Sequence, residues 1–177
     1  FLGLAPTPRL AAALAAQLGT LTAKTEGFAV LDAAVEEPMK AAIRAAGAEG
    51  DSVGGILETI VTGLPAGIGE PWFDSVESEL AHLMFAIPAC KGIEFGAGFA
   101  FAGLRGSQAN DPFTMQNGRV ATATNKNGGV NGGITNGMPL VFEATIRPTP
   151  SISLPQQSVD LRTGEEAEIE IHGRHDP

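Results

Sequence analysis

Residues 95–159 combine the side chains and backbone that oxyanions favour. Arg105, Arg119, Lys126 and Arg147 are basic there, against the two acids Asp111 and Glu143, inside a chain whose formal net charge is -9. Of the 23 glycines, 11 fall between Gly92 and Gly137. Glycine lets backbone N–H groups reach a ligand, and a local excess of cations adds to them, so the pattern suits a phosphate or carboxylate. The same composition also describes flexible hairpins carrying solvated arginines.

Other constellations are weaker. No GxxxxGK[ST] sequence is present, and Gly96-Ala-Gly-Phe-Ala-Phe101 lacks the third glycine of a dinucleotide turn. Gly50-Asp-Ser-Val-Gly54 fits GxSxG. A nucleophile elbow needs a strand before the serine and a helix after it, whereas here the order reads helix then strand, so Ser52 is expected to be a turn residue. His172, His175 and Asp176 are too few and too clustered at one point to define a metal site, and no metal is expected. His82 reads as a helix-surface or satisfied core histidine, and Cys90 as a small buried hydrophobe. The pairs Glu36–Glu37 and Glu165–Glu166 read as solvated faces.

The 177 residues suffice for one domain, and 44% apolar residues suffice for a core. The acidic balance, with one Trp and no Tyr, argues against nucleic acid and against an anionic membrane surface. No apolar run approaches the ~20 residues that span a bilayer. A single cysteine leaves no internal disulfide, and a reducing cytoplasm is the expected compartment. The chain starts with Phe1 and has no signal-like region, so a natural N-terminus is expected to be missing.

The elements that must position these residues follow from periodicity. Thr7-Pro8 starts a predicted helix with Leu10, Leu14 and Leu18 on one face. A second is predicted over 38–48, with Met39, Ile43 and Ala46 inward. The strongest helical pattern covers 72–87, its stripe being Phe73, Val76, Leu80, Leu83, Met84 and Ile87, with Glu70, Asp74, Glu77 and Glu79 near the favourable end of the dipole. Strands are predicted over 56–61, 140–147 and 168–172. In the second of these, Leu140, Phe142, Ala144 and Ile146 alternate with Val141, Glu143, Thr145 and Arg147. Alternation implies sheets with one wet face, hence antiparallel strands, and an α+β fold.

From Gly50 onward the chain resembles chorismate synthase, the last enzyme of the shikimate pathway. The resemblance rests on seven segments in the family's order: Gly50-Asp-Ser-Val-Gly54, Gly63-Leu-Pro-Ala-Gly-Ile-Gly-Glu-Pro71, Ala86-Ile-Pro-Ala-Cys-Lys-Gly-Ile-Glu94, Arg105-Gly-Ser-Gln108 with Asn110-Asp-Pro-Phe113, Asn125-Lys-Asn-Gly-Gly-Val-Asn-Gly-Gly-Ile-Thr-Asn-Gly137, Arg147-Pro-Thr-Pro-Ser-Ile152 and Gly173-Arg-His-Asp-Pro177. Residues 1–49 match weakly, so one incomplete domain is expected, with its FMN-binding part over 50–177. The family's N-terminal histidine and arginine segments have no counterpart, and the chain stops inside the GRHDPC motif. The resemblance therefore leads one to expect the catalytic histidines outside this sequence.

The resemblance implies a β-α-β sandwich, a homotetramer and a carbon–oxygen lyase. That lyase converts 5-enolpyruvylshikimate 3-phosphate to chorismate and phosphate by 1,4-anti elimination, with reduced FMN and with NADPH as a possible reductant. Carried over residue by residue, it places FMN contacts at Pro88, Ala89, Gly132, Arg147, Pro148, Thr149, Pro150, Ser151 and Arg174, with Asn125 beside them. Arg147 stands where the family commonly has lysine. Pro150 stands where serine is frequent, which removes a donor. The alternative expectation is a non-catalytic module of the same fold that binds phosphorylated ligands or only assembles.

Overall fold

The computed structural model describes residues 32–173, together with Gly19, Phe28 and Val30. The helix predicted from Thr7 and the terminal Arg174, His175 and Asp176 lie outside the described residues. The chain forms two compact units, one containing Ile56–Ile146 and the other containing Lys24–Gly55 with the segment from Arg147 onward.

The first unit is built on a three-stranded sheet. Strand β1 spans Gly55–Val61, β2 Cys90–Phe95 and β7 Leu140–Ile146, with β7 central. β2 and β7 run antiparallel, Phe95 opposite Phe142 and Glu94 opposite Glu143, with a register shift between Cys90 and Gly92. The alternation read in β7 holds: Leu140, Phe142 and Ala144 are buried and Thr145 is exposed. Val130, Leu140 and Phe142 form the core, packed by Val61, Leu64, Val76, Leu80, Met84, Ile93 and Phe95. The Phe95 and Phe142 rings lie 5.7 Å apart in a tilted pair. Cys90 is buried, as a small hydrophobe should be.

Helix α2, Val76–Phe85, packs on β2. It is shorter than the pattern over 72–87 predicts. Ser75 caps it, its Oγ accepting from Ser78 N at 3.0 Å, and Trp72 stands ahead of it at φ 72. Ser75 itself is extended, with ψ 150, and breaks the helical run, so Trp72–Asp74 forms a separate 3-10 turn. The stripe therefore splits. Val76, Leu80 and Met84 meet the core, whereas Phe73, Leu83 and Ile87 are exposed. His82 is exposed on the helix surface.

Short elements complete this unit: a 3-10 turn at Gly98–Gly103, helix α3 at Gly106–Ala109, and the antiparallel hairpins β3–β4 (Phe113–Gln116, Arg119–Thr122) and β5–β6 (Val130–Asn131, Ile134–Thr135).

The second unit holds helix α1, Ala33–Ala48, and the antiparallel hairpin of β8, Gln156–Asp160, and β9, Glu165–Ile169. α1 starts five residues before the predicted Pro38, because the Asp32 carboxylate accepts from Ala34 N at 2.8 Å and caps it earlier. Ile43 and Ala46 are half-buried, but Met39 is exposed. Glu36 is likewise half-buried and accepts from Lys40 Nζ at 2.5 Å, while Glu37 is exposed. β9 lies three residues earlier than predicted and ends at Ile169. Its pairing with β8 fixes it, from Asp160 opposite Glu165 to Gln156 opposite Ile169, and leaves His172 beyond the ladder. No helix among the described residues is long and apolar enough to cross a membrane.

Glu143 sits on the central strand with a carboxylate directly across from it. Burial holds its carboxyl above the ordinary range, and the charges of Glu58 and Glu94 push the same way. A raised carboxyl contributes stability that is present below the ordinary carboxylate pKa and lost as pH rises through the raised value. Glu143→Gln is therefore expected to stabilise the protein by roughly 0.5–1 kcal/mol at neutral pH, the scale of a relieved like-charge cross-strand pair. The gain should fade under acid conditions, where wild-type Glu143 is protonated. Melting curves at neutral and mildly acidic pH check this; a gain of equal size at both would contradict it.

Candidate functional site

The loop between β4 and β5 is organised by one side chain. Asp111 Oδ1 accepts from Thr124 Oγ1 at 2.5 Å and from Lys126 N at 2.8 Å. Its Oδ2 accepts from Asn127 N at 2.8 Å and from Asn127 Nδ2 at 3.0 Å. Sequence reading noted this acid only for its scarcity. Its isolation within a basic, glycine-rich stretch was the available signal that a single carboxylate serves many backbone donors. The Lys126 ammonium donates to the Gln108 carbonyl at the end of α3.

Behind this loop the glycines pack backbone against backbone. Gly96 has φ 56, and a Cβ there would collide with Lys126 O and Gly128 N. A Cβ on Gly128, φ 64, would lie 2.6 Å from Gly96 N and from Val141 O. The segment 63–71 is tied to β6 in the same way. Thr135 Oγ1 donates to Pro65 O at 2.7 Å and accepts from Ile68 N at 2.9 Å, while Gly67 N donates to Thr135 O at 2.9 Å. Three of the motif segments are thus one joined body.

The residues expected to contact FMN divide between the two units. In the first, Pro88 and Ala89 are exposed in the turn from α2 to β2, and Ala89 adopts φ 69. A non-glycine residue in this region carries strain that its surroundings must impose, and nothing in the sequence signals it. Gly132 and Gly133 form the two-residue turn of β5–β6 at φ 59 and 87. That is the hairpin chemistry glycine serves, and no atom lies within 4 Å of the place a Gly132 Cβ would take. Asn125 Nδ2 donates to Pro139 O at 2.9 Å, but its Oδ1 is buried with no partner. A buried amide oxygen without a donor is costly, so this atom is suited to accept from a ligand.

In the second unit, Ser52 explains the placement of the next group. Its Oγ donates to Thr149 O at 2.7 Å, and Ser153 N donates to Gly50 O at 2.9 Å. The GxSxG turn is thus a clamp on the segment that follows β7, with α1 before it and β1 after it, as the turn reading expects. Pro150 O accepts from Gln156 Nε2 at 3.3 Å. Arg147, Pro148 and Pro150 are exposed, and Thr149 and Ser151 are half-buried. Arg174 lies outside the described residues. Among the described residues none of Arg105, Arg119, Lys126 and Arg147 is engaged in an ion pair; the pairs present are Lys40 with Glu36 and Glu37, Arg44 with Glu37, Arg162 with Asp160, and His172 with Glu170.

The family model described as chorismate synthase matches residues 9–177. The chain is 58% identical over 127 residues to a chorismate synthase of Thermococcus gammatolerans, covering 72% of this chain and 36% of that protein. It is 53% identical over 145 residues to one of Dehalococcoides mccartyi, covering 82% and 40%, and 46% identical over 173 residues to one of Methanosarcina barkeri, covering 91% and 47%. A crystal structure of chorismate synthase superposes with a TM-score of 0.65 at 34% identity, over 69% of this chain and 37% of that one. The chain thus spans less than half the length of each of these relatives.

Proposed function

The chain belongs to the chorismate synthase family, and on that premise we propose that it forms the FMN-binding part of an enzyme making chorismate. The reaction is the 1,4-anti elimination of phosphate from 5-enolpyruvylshikimate 3-phosphate, a carbon–oxygen lyase step of aromatic amino acid biosynthesis. The working protein is a homotetramer in the cytoplasm, with NADPH or a separate reductase keeping the flavin reduced. Bound reduced FMN supplies the electron-rich ring that assists departure of the allylic phosphate.

The chain's own residues bind and orient. The observation that carries the reading is the partnerless buried Oδ1 of Asn125, at the head of a loop held rigid by Asp111. A flavin offers N–H and hydroxyl donors that such an oxygen can accept. Pro88 and Ala89 present a strained, exposed turn, and Gly132 offers backbone without a Cβ. Arg147 and Arg174 supply guanidinium groups suited to phosphate oxygens. Pro148 and Pro150 restrict the backbone between them, while Thr149 and Ser151 add hydroxyls. Fixed donors cost little reorganisation when negative charge develops on a leaving phosphate.

Flavin titration tests this. FMN is expected to bind saturably to this chain, and Asn125→Ala is expected to weaken it about tenfold, the loss of one buried hydrogen bond. Arg174→Ala in the full-length enzyme should weaken it too. This chain by itself is expected to form no chorismate. Unchanged titration in both variants would sink the flavin assignment.

A further inference from the structure

The β3–β4 hairpin exposes three of its apolar side chains, while Thr122 on the same face is buried. Asn117 and Gly118 make its two-residue turn at φ 51 and 74. Pairing puts Phe113 with Thr122 and Met115 with Val120 on one face, and Thr114 with Ala121 and Gln116 with Arg119 on the other. Phe113, Met115 and Val120 are 70%, 65% and 66% exposed. Gln116, Arg119 and Ala121 instead line a cleft of about 390 Å³, which Thr62, Gly63 and the 137–139 segment complete and which Asn117 and Val120 also border. Phe113 and Met115 thus face solvent, and Arg119 is itself exposed at the margin of the cleft.

The cleft's chemistry has one sign. Among the described residues Arg119 is the only ionisable one lining it, and no carboxylate does. Among the described residues the guanidinium has no ion pair and no side-chain hydrogen bond. Gln116, Asn117 and Thr62 add neutral polar groups beside it. At Gly63, φ 83, no atom lies within 4 Å of a Cβ position, so a ligand can approach the backbone. A volume of this size suits a small molecule.

We propose that this cleft binds a small oxyanion, a phosphate monoester or carboxylate metabolite, through Arg119 with Gln116 orienting it. Pro88, Ala89, Asn125 and Gly132 do not line the cleft, so the proposal stands independently of the flavin assignment. Isothermal titration of the chain with inorganic phosphate, and separately with malonate, tests it and tells the two chemistries apart. One equivalent of either should bind saturably in the millimolar range. Arg119→Gln should reduce that affinity about tenfold, the loss of a charge-assisted contact, with the melting temperature unchanged. Arg119→Lys should retain part of it. Absence of saturable binding by both anions overturns the proposal, as does equal affinity in Arg119→Gln. So does loss of binding in Arg147→Gln with Arg119→Gln unaffected.

Discussion

Asp111→Ala is expected to cost at least about 3 kcal/mol and to release residues 124–127. The carboxylate accepts four hydrogen bonds, two of them from backbone N–H groups. A bond to a charged acceptor contributes about 1.5–3 kcal/mol, and a donor left without a partner adds its own desolvation penalty. Asp111→Asn should be little better, because its amide NH2 would face the Asn127 donors with another donor. Hydrogen exchange is the sharper readout. Amide protection at Lys126 and Asn127 should fall sharply in either variant, and flavin affinity should fall with it. Protection equal to wild type would show that the loop holds its shape without the carboxylate.

A methyl group at Gly96 should be worse still. Two penalties coincide there. The backbone sits at φ 56, where L side chains are strained, and the new carbon would enter Lys126 O and Gly128 N, which are main-chain atoms that cannot swing away. A loss above about 4 kcal/mol is expected, a large share of the ~5–15 kcal/mol of an ordinary domain, so Gly96→Ala should yield little soluble protein. Gly118→Ala separates the two penalties. Gly118 has φ 74 but open space, so only strain of about 1 kcal/mol applies. Soluble yield and melting temperature of the pair decide it; a Gly96→Ala protein as stable as Gly118→Ala would refute the close-packing account.

These two sites show where sequence reading reached and where it stopped. Strand β7 was legible because one face is buried, and burial writes a period of two into the residue types. The family resemblance was legible because glycines in its segments sit where no Cβ fits, at Gly69, Gly128 and Gly133. Helix α2 was overestimated because Phe73 and Ile87 keep the helical spacing while Ser75 adopts an extended backbone that spacing cannot report. β9 was misplaced because alternation continues to His172 and only the pairing with β8 says where the ladder ends. The bonding of Asp111 and the strained backbone of Ala89 were hidden for a shared reason. Each depends on which loop backbone lies beside it, and that is set by contacts between segments distant in the chain.

Trp72 has a practical consequence. It is the chain's single tryptophan, there is no tyrosine, and its indole is 84% exposed. Near-ultraviolet absorbance and intrinsic emission therefore originate almost wholly at one solvent-facing ring. Folding of the sheet leaves that ring wet, so emission wavelength is a poor gauge of unfolding. It is a sensitive gauge of anything that settles over the Pro71–Phe73 corner, because a covered indole shifts to the blue.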